Sequence, residues 1–293
     1  SLIIFYLFKY QIIYPTISPM VKNGVALPNT HDSFYFGSIL QKAHLGMHAE
    51  NKLIPSVYEN GMITYLPYLF LKVFPSLEIE TLLLWLPVCI AGLVCIPIVL
   101  IGRLYGSSLW GFLAACLAGV THSYYNRTLA GYYDTDMFSI TVPAFALYFL
   151  LAASRRESLN YLIAGVLVLC TSRFFYGSIQ AITCSMALTF LSLRWGIVIL
   201  EYYLSQESSN KSSISGLLKL KSFNFACKAT ILISWVLYAE SWSLGRSLQA
   251  NTDRFFVGLF LPVIIFILYK FLEQKKPGSL IQEKFTAEKD KIK

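Results

Sequence analysis

The chain has 293 residues, 56% of them apolar and only 14% charged, with 24 Lys and Arg against 16 Asp and Glu for a net charge of +8. Soluble domains carry about 25% charged and about 45–50% apolar residues, so a water-soluble fold is excluded, and intrinsic disorder is excluded with it because low hydrophobicity is its signature. The positive charge is dispersed rather than gathered in one patch, which argues against nucleic acid as a partner and fits basic residues flanking membrane spans.

A spanning helix needs about 20 mostly apolar residues. Residues 1–14, with Lys9 inside, read as the end of one span, and 15–80 as a long first external loop. Within that loop 61–75 contain Pro67 and Lys72 and are too short to cross, so they are predicted to lie at the interface. Charge-free runs at 81–102, 104–126, 137–154, 158–172, 174–193 and 255–269 predict spans, and 222–239 predict a weaker one interrupted by Lys228. The expected fold is therefore all-α, a polytopic bundle of about seven to eight spanning helices plus a long first external loop with interfacial helices. It occupies 1–276, with 126–136 as the second external loop, a Ser-rich linker at 205–221 and a polar tail at 277–293. The cysteines sit in or near apolar runs without a C-x-x-C pair and read as small hydrophobes.

Orientation follows from the basic residues. With 15–80 outside, Arg103, Arg155, Arg156, Lys211, Lys219, Lys221, Lys228, Lys275 and Lys276 fall inside, which satisfies the positive-inside rule better than the reverse placement. The loop carrying Asp32 and the loop carrying Asp134 and Asp136 then emerge on the same face.

These are three of only five aspartates in the chain. Carboxylates at i and i+2 point the same way on an extended backbone and diverge by roughly 200° on a helix. An extended approach after Gly131 would leave Asp134 and Asp136 repelling one another, a conflict a divalent cation removes. Hard oxygen ligands select Mg²⁺, Mn²⁺ or Ca²⁺ over zinc, and Asp32 can supply a third ligand. The structural reading is that Asp134 or Asp136 caps the helix that follows, and a bare D-x-D pattern leaves both open. Arg127 is a cation able to brace the acids or an interfacial anchor. His44 and His48, four apart, would share a helix face without a third metal ligand. The sequons at Asn126-Arg127-Thr128 and Asn210-Lys211-Ser212 abut a span or face the inside.

The run Ser123-Tyr124-Tyr125-Asn126-Arg127-Thr128-Leu129-Ala130-Gly131-Tyr132-Tyr133-Asp134-Thr135-Asp136-Met137 resembles the second acidic motif of the oligosaccharyltransferase catalytic subunit, bacterial PglB type. His31-Asp32-Ser33-Phe34-Tyr35 resembles the first acidic motif of that family, and Phe174-Phe175-Tyr176-Gly177-Ser178 sits where the family has an aromatic turn near the lipid-linked donor. The likeness is strong over roughly 30–155 and collinear to about 276. It implies a membrane glycosyltransferase of the GT-C class that moves an oligosaccharide from a polyprenyl pyrophosphate to the Asn of N-x-Ser/Thr sequons in acceptor proteins. On the matching positions Asp32 and Asp134 would ligand Mg²⁺ or Mn²⁺, with Asp136 as a further candidate ligand. Asp136 and Arg127 would organise the site, Asp32 would also contact the acceptor amide, and Tyr176 would meet the donor. The implied location is a bacterial inner membrane with the acidic loops facing the periplasm.

The chain departs from the family pattern in having no later loop with a further catalytic Glu and no soluble domain with a Trp-Trp-Asp-Tyr-Gly motif. On that ground it is expected to be the N-terminal part of a membrane domain, truncated at both ends and inactive alone. The alternatives are a GT-C transferase using a polyprenyl-phosphate sugar, which the GYYDTD run disfavours, a non-catalytic membrane fragment, and a transporter, which would place acids within helices near the midplane.

Overall fold

The structure, a computed structural model, describes residues 21–22, 25–26, 28, 30–46, 54–209 and 221–241. The expected spans at 1–14 and 255–269, most of the 240–254 loop, the polar tail 277–293, and His48, Lys211, Lys219, Lys275 and Lys276 lie outside the described residues. Among the described residues the chain is helical apart from a two-residue antiparallel pairing of Val21–Lys22 (β1) with Val25–Ala26 (β2).

The first helix, α1 (His31–His44), lies in the segment expected as a loop. The Thr30 backbone is extended and its hydroxyl accepts the Ser33 N–H at 3.1 Å, satisfying one of the free donors of the first turn. Asp32 in that turn suits the positive end of the helix. Phe36, Ile39 and Leu40, three and four apart, form the buried face. Cap, charge and apolar spacing together place a helix within the expected external segment, with Asp32 in its first turn. The helix ends at His44, and His48 lies outside the described residues.

Helix α2 (Met62–Val73) starts at Gly61, whose φ of 71° is the left-handed region. A Cβ on Gly61 would lie 2.3 Å from the Phe174 carbonyl oxygen, so only glycine permits this approach to the end of a later helix. Helices α3 (Ile79–Gly92) and α4 (Cys95–Leu104) run on as one apolar stretch of 26 residues, long enough to cross a membrane. The single span expected over 104–126 is instead two pieces, α5 (Ser108–Val120) and α6 (His122–Asn126). The backbone leaves the helical region at Thr121 with ψ 123°, and the 13 residues of α5 are short for a span.

Helices α7 (Asp136–Ser139) and α8 (Thr141–Arg156) make up a second stretch of spanning length, followed by α9 (Leu159–Phe175). After a turn at Tyr176–Ile179, α10 (Gln180–Ser209) runs for 30 residues, well beyond the 174–193 expected, and its apolar part Ala181–Tyr202 is the third stretch of spanning length. The polar Ser-rich segment assigned to a linker thus begins as helix. Helix α11 (Lys221–Ser241) covers the weak span expected at 222–239.

The charges sort into two ends. At one end the Arg155 guanidinium lies 5.1 Å from the Tyr105 ring centroid, and the Arg156 guanidinium donates to the Tyr161 hydroxyl at 2.7 Å. There the buried Arg194 donates to the Ser154 carbonyl at 3.2 Å and pairs with Glu157 at 3.3 Å, and Lys221 pairs with Glu157 at 3.3 Å. Glu157, at φ 46°, terminates α8 and holds both cations. This is the grouping of Arg155, Arg156, Arg194 and Lys221 that the positive-inside rule requires. The opposite end carries Asp32, Arg127, Asp134, Asp136 and the Phe174–Tyr176 turn, seated on one apolar cluster that includes Phe36, Ile63, Leu83, Tyr133 and Phe138.

Candidate active site

The segment between α6 and α7 is held by polar contacts from other elements together with apolar packing of Ala130 and Tyr133. Gly131 takes a φ of 81°, and its N–H donates to the Leu84 carbonyl of α3 at 3.2 Å. The buried Ser33 hydroxyl of α1 accepts the Tyr133 N–H at 2.9 Å and lies 3.1 Å from the Gly131 carbonyl and 3.2 Å from the Tyr133 carbonyl. A hydroxyl has one hydrogen and two lone pairs. Ser33 therefore donates to one of those carbonyls at a time while accepting from Tyr133 and from the Thr30 hydroxyl 2.6 Å away. The Tyr133 side chain is fully buried, stacks edge-on with Phe36 at 6.2 Å, and donates its hydroxyl to the Ile63 carbonyl of α2. Burial pushes its phenol well above the ordinary range, so it remains a donor.

Asp134 follows directly. Its Oδ1 accepts the Thr135 N–H at 2.6 Å and the Thr135 hydroxyl at 3.1 Å. These local bonds bend the chain rather than extend it, and Thr135 itself is near-helical at φ −60°, ψ −16°. Of the two readings the D-x-D pattern leaves open, the chain follows the second, turning into α7 with Asp136 in its first turn. Asp136 opens α7 and receives the Arg127 guanidinium at 2.7 Å. That pair is largely open to solvent on the arginine side, so it contributes orientation more than stability.

Among the described residues Asp134 is in no ion pair as close as that one, although Arg127 also acts on it electrostatically. Half-burial first, then repulsion from Asp136 and Asp32, raises its carboxyl above the ordinary value, against the lowering effect of the Thr135 donors. Repulsion from Asp32 places the α1 acid within electrostatic reach of the second motif. Tyr132, beside them, is raised by burial and by the same three acids, and lowered by Arg127.

Among the described residues no group of three or more His, Cys, Asp or Glu side chains is gathered closely enough to hold a metal ion. The donor chemistry nevertheless fits a hard divalent cation: the half-buried Asp134 is disfavoured as an anion, Asp32 is exposed, the two act on each other electrostatically, and both offer only carboxylate oxygens. Asp136 is committed to Arg127. Tyr176, the expected donor-side residue, is the extended residue closing α9 and packs on the same apolar cluster as Tyr133.

Ser33 and Tyr133 lie within the two motifs, yet sequence reasoning assigns neither a task. The signal for Ser33 is a contact across about a hundred positions, which no local pattern encodes. For Tyr133 a clue does exist, since Pro67 in α2 predicts a carbonyl in need of a donor at Ile63.

The helical stretches of spanning length and the acid-bearing end define a polytopic membrane bundle with an acidic site at one end. The family model for the N-terminal part of oligosaccharyl transferase STT3 matches residues 55–281. The chain belongs to that family. The matched residues include Arg127, Asp134 and Asp136 and begin after Asp32. The chain is 35% identical over 162 residues to the undecaprenyl-diphosphooligosaccharide–protein glycotransferase of Campylobacter jejuni subsp. jejuni serotype O:2, covering 55% of this chain and 22% of that protein. The protein of a second Campylobacter jejuni strain gives the same figures. The chain thus spans about a fifth of the length of the curated relatives it matches.

Among solved structures, the apo oligosaccharyltransferase of Archaeoglobus fulgidus superposes with a TM-score of 0.53 at 16% identity, over 90% of this chain and 36% of that one. The same protein in complex with Zn and sulfate gives 0.52 at 16% identity, over 94% and 40%. Archaeal AglB from Archaeoglobus fulgidus, in complex with an inhibitory peptide and a dolichol-phosphate, gives 0.52 at 15% identity, over 98% and 38%. At these identities the structural likeness establishes the fold.

Proposed function

We propose that the protein transfers an oligosaccharide from a polyprenyl-pyrophosphate donor to the side-chain amide nitrogen of Asn in N-x-Ser/Thr sequons, working at the outer face of a bacterial inner membrane. The observation that carries this reading is the joining of the two acidic motifs at one end of the bundle, with Ser33 of the first bonded to the Tyr133 amide of the second, in a chain of the oligosaccharyl transferase family.

The reaction needs two things from its site. An amide nitrogen is a poor nucleophile because its lone pair is delocalised into the carbonyl. A carboxylate that accepts an amide N–H favours a twisted, more reactive nitrogen, and the exposed Asp32 at the head of α1 is placed for that task. The departing pyrophosphate develops negative charge, which Mg²⁺ or Mn²⁺ bound to Asp32 and Asp134 would stabilise. Asp134, disfavoured as an uncompensated anion by its surroundings, is the acid that gains most from a cation. Arg127 fixes Asp136 and keeps it off that seat, while its own exposed charge remains available to an anionic donor. Tyr176, on the rim of the same apolar cluster, is assigned to the lipid-linked donor. Attack from the face opposite the leaving group inverts the anomeric carbon.

The donor class tests the reading. The purified full-length protein in detergent with Mn²⁺ is given an N-x-Thr peptide and either a polyprenyl-pyrophosphate oligosaccharide or a polyprenyl-monophosphate sugar. Glycopeptide formation from the pyrophosphate alone is expected. Transfer from the monophosphate alone would reassign the chain to a different sugar transfer.

A further inference from the structure

Helix α2 has an internal proline, and its consequence falls on the acidic site. Pro67 has no N–H, so the carbonyl four residues earlier, that of Ile63, loses its helical donor, and the proline ring crowds that carbonyl away from the helix axis. Both residues are buried, so water does not serve as the partner. The Tyr133 hydroxyl supplies the missing hydrogen bond. Tyr133 is fully enclosed, its ring meets Phe36 of α1, and its own amide is held by Ser33 of α1 at 2.9 Å. One residue immediately before Asp134 is thus tied to both helices of the first external segment.

We propose that Tyr133 is a positioning residue for Asp134, anchored through its hydroxyl on the Ile63 carbonyl that Pro67 leaves without a helical donor and through its amide on Ser33. This deepens the cation-site reading, on which it rests for its functional consequence. The two anchors are chemically separable. Tyr133→Phe leaves the Ile63 carbonyl buried and unpaired, a state that draws water into the slot and loosens the turn. In Pro67→Ala the new residue 67 N–H can bond the Ile63 carbonyl. Tyr133→Phe in that background then leaves nothing unpaired, because removing both members of a buried polar pair is far less costly than removing one. Ser33→Ala breaks the other anchor, and Pro67→Ala cannot compensate for it.

The test uses the full-length protein in detergent as wild type, Pro67→Ala, Tyr133→Phe, Pro67→Ala/Tyr133→Phe, Ser33→Ala and Pro67→Ala/Ser33→Ala. Hydrogen exchange of the peptide covering 131–137 reads the turn without any cation, and Mn²⁺ titration followed by electron paramagnetic resonance reads the carboxylates. Tyr133→Phe is expected to speed exchange and weaken Mn²⁺ binding by about tenfold or more, taking about 1.4 kcal/mol per tenfold. The double variant with Pro67→Ala should return to within about threefold of Pro67→Ala alone. Ser33→Ala should be impaired equally in both backgrounds, which distinguishes anchoring from general loosening and remains readable if Tyr133→Phe does not fold. A harmless Tyr133→Phe, or one that Pro67→Ala fails to rescue, would overturn the proposal. If wild type binds no Mn²⁺, the cation site of the proposed function falls, and the exchange pattern still decides whether Tyr133 holds the turn.

Discussion

The proposed function sets its cation on Asp134, a carboxyl whose surroundings disfavour the charged form. Its folded-state value is raised, by burial first and then by its acidic neighbours. For a carboxyl raised on folding, the unfolded chain gives up its proton first as pH increases, so the folded state loses stability between the ordinary carboxylate range and the raised value, and the loss is complete above it. Asp134→Asn keeps an oxygen to accept the Thr135 donors and carries no charge. In a cation-free buffer with chelator, the Tm of wild type should therefore fall relative to Asp134→Asn as pH rises through that window, leaving the variant the more stable protein at neutral pH. A difference in Tm that stays constant across the window would show that Asp134 is not destabilised by ionisation. The D-x-D spacing was legible in the sequence, but its geometry was not. Local bonds from Thr135 and the reach of Arg127 give the two carboxylates separate partners, which decides between readings the spacing left open.

Among the elements, the apolar runs announced most of the helices, and the misses have identifiable causes. Helix α1 was hidden because its buried stripe of Phe36, Ile39 and Leu40 is brief and flanked by polar residues, and its start depends on a Thr30 cap rather than on a long periodic pattern. Helix α10 outruns its apolar core because Ser, Gln and Glu residues are compatible with a helix even where they do not signal one. The join of α2 to the end of α9 depends on Gly61, whose tight contact could not be read from a lone glycine in the sequence. Gly61→Ala would incur the strain of a left-handed residue, about 1–2 kcal/mol, together with a Cβ 2.3 Å from the Phe174 carbonyl oxygen. Gly46, at φ 64° and with nothing within 4 Å of where a Cβ would stand, supplies the control for strain alone. Gly61→Ala should lower Tm clearly more than Gly46→Ala in detergent. Equal losses would mean that the approach of α2 to Phe174 yields without cost.

At the scale of the whole molecule, the positive-inside pattern and the three-dimensional sorting of charge agree on which residues share an end. Arg155, Arg156, Arg194 and Lys221 lie opposite Asp32, Asp134 and Asp136, although Arg194 reaches its place only through a helix that packs back onto Ser154 and Glu157. With native cysteines removed, a membrane-impermeant maleimide applied to intact spheroplasts should modify Phe34→Cys, which is exposed beside Asp32, and spare Asn160→Cys at the basic end. Labelling of Asn160→Cys alone would invert the orientation and place the acids in the cytoplasm. The motif around Asp134 pointed to the family from sequence, whereas the linkage that brings the Asp32 helix to it runs through the buried Ser33 hydroxyl and the Tyr133 amide and required the folded chain.

The central claim is that the acids at this end carry out sugar transfer, and the most direct measurement is glycopeptide formation by the full-length protein with Asp134→Ala, at saturating Mn²⁺ and a polyprenyl-pyrophosphate oligosaccharide. Loss of a carboxylate proposed to hold the charge-stabilising cation should reduce the transfer rate by about 10²-fold or more, while Asp290→Ala, far along the sequence and outside the acidic motifs, should transfer at the wild-type rate. Transfer by Asp134→Ala within a few-fold of wild type would contradict the account, because the acid most disfavoured as an uncompensated anion would then have no part in the reaction.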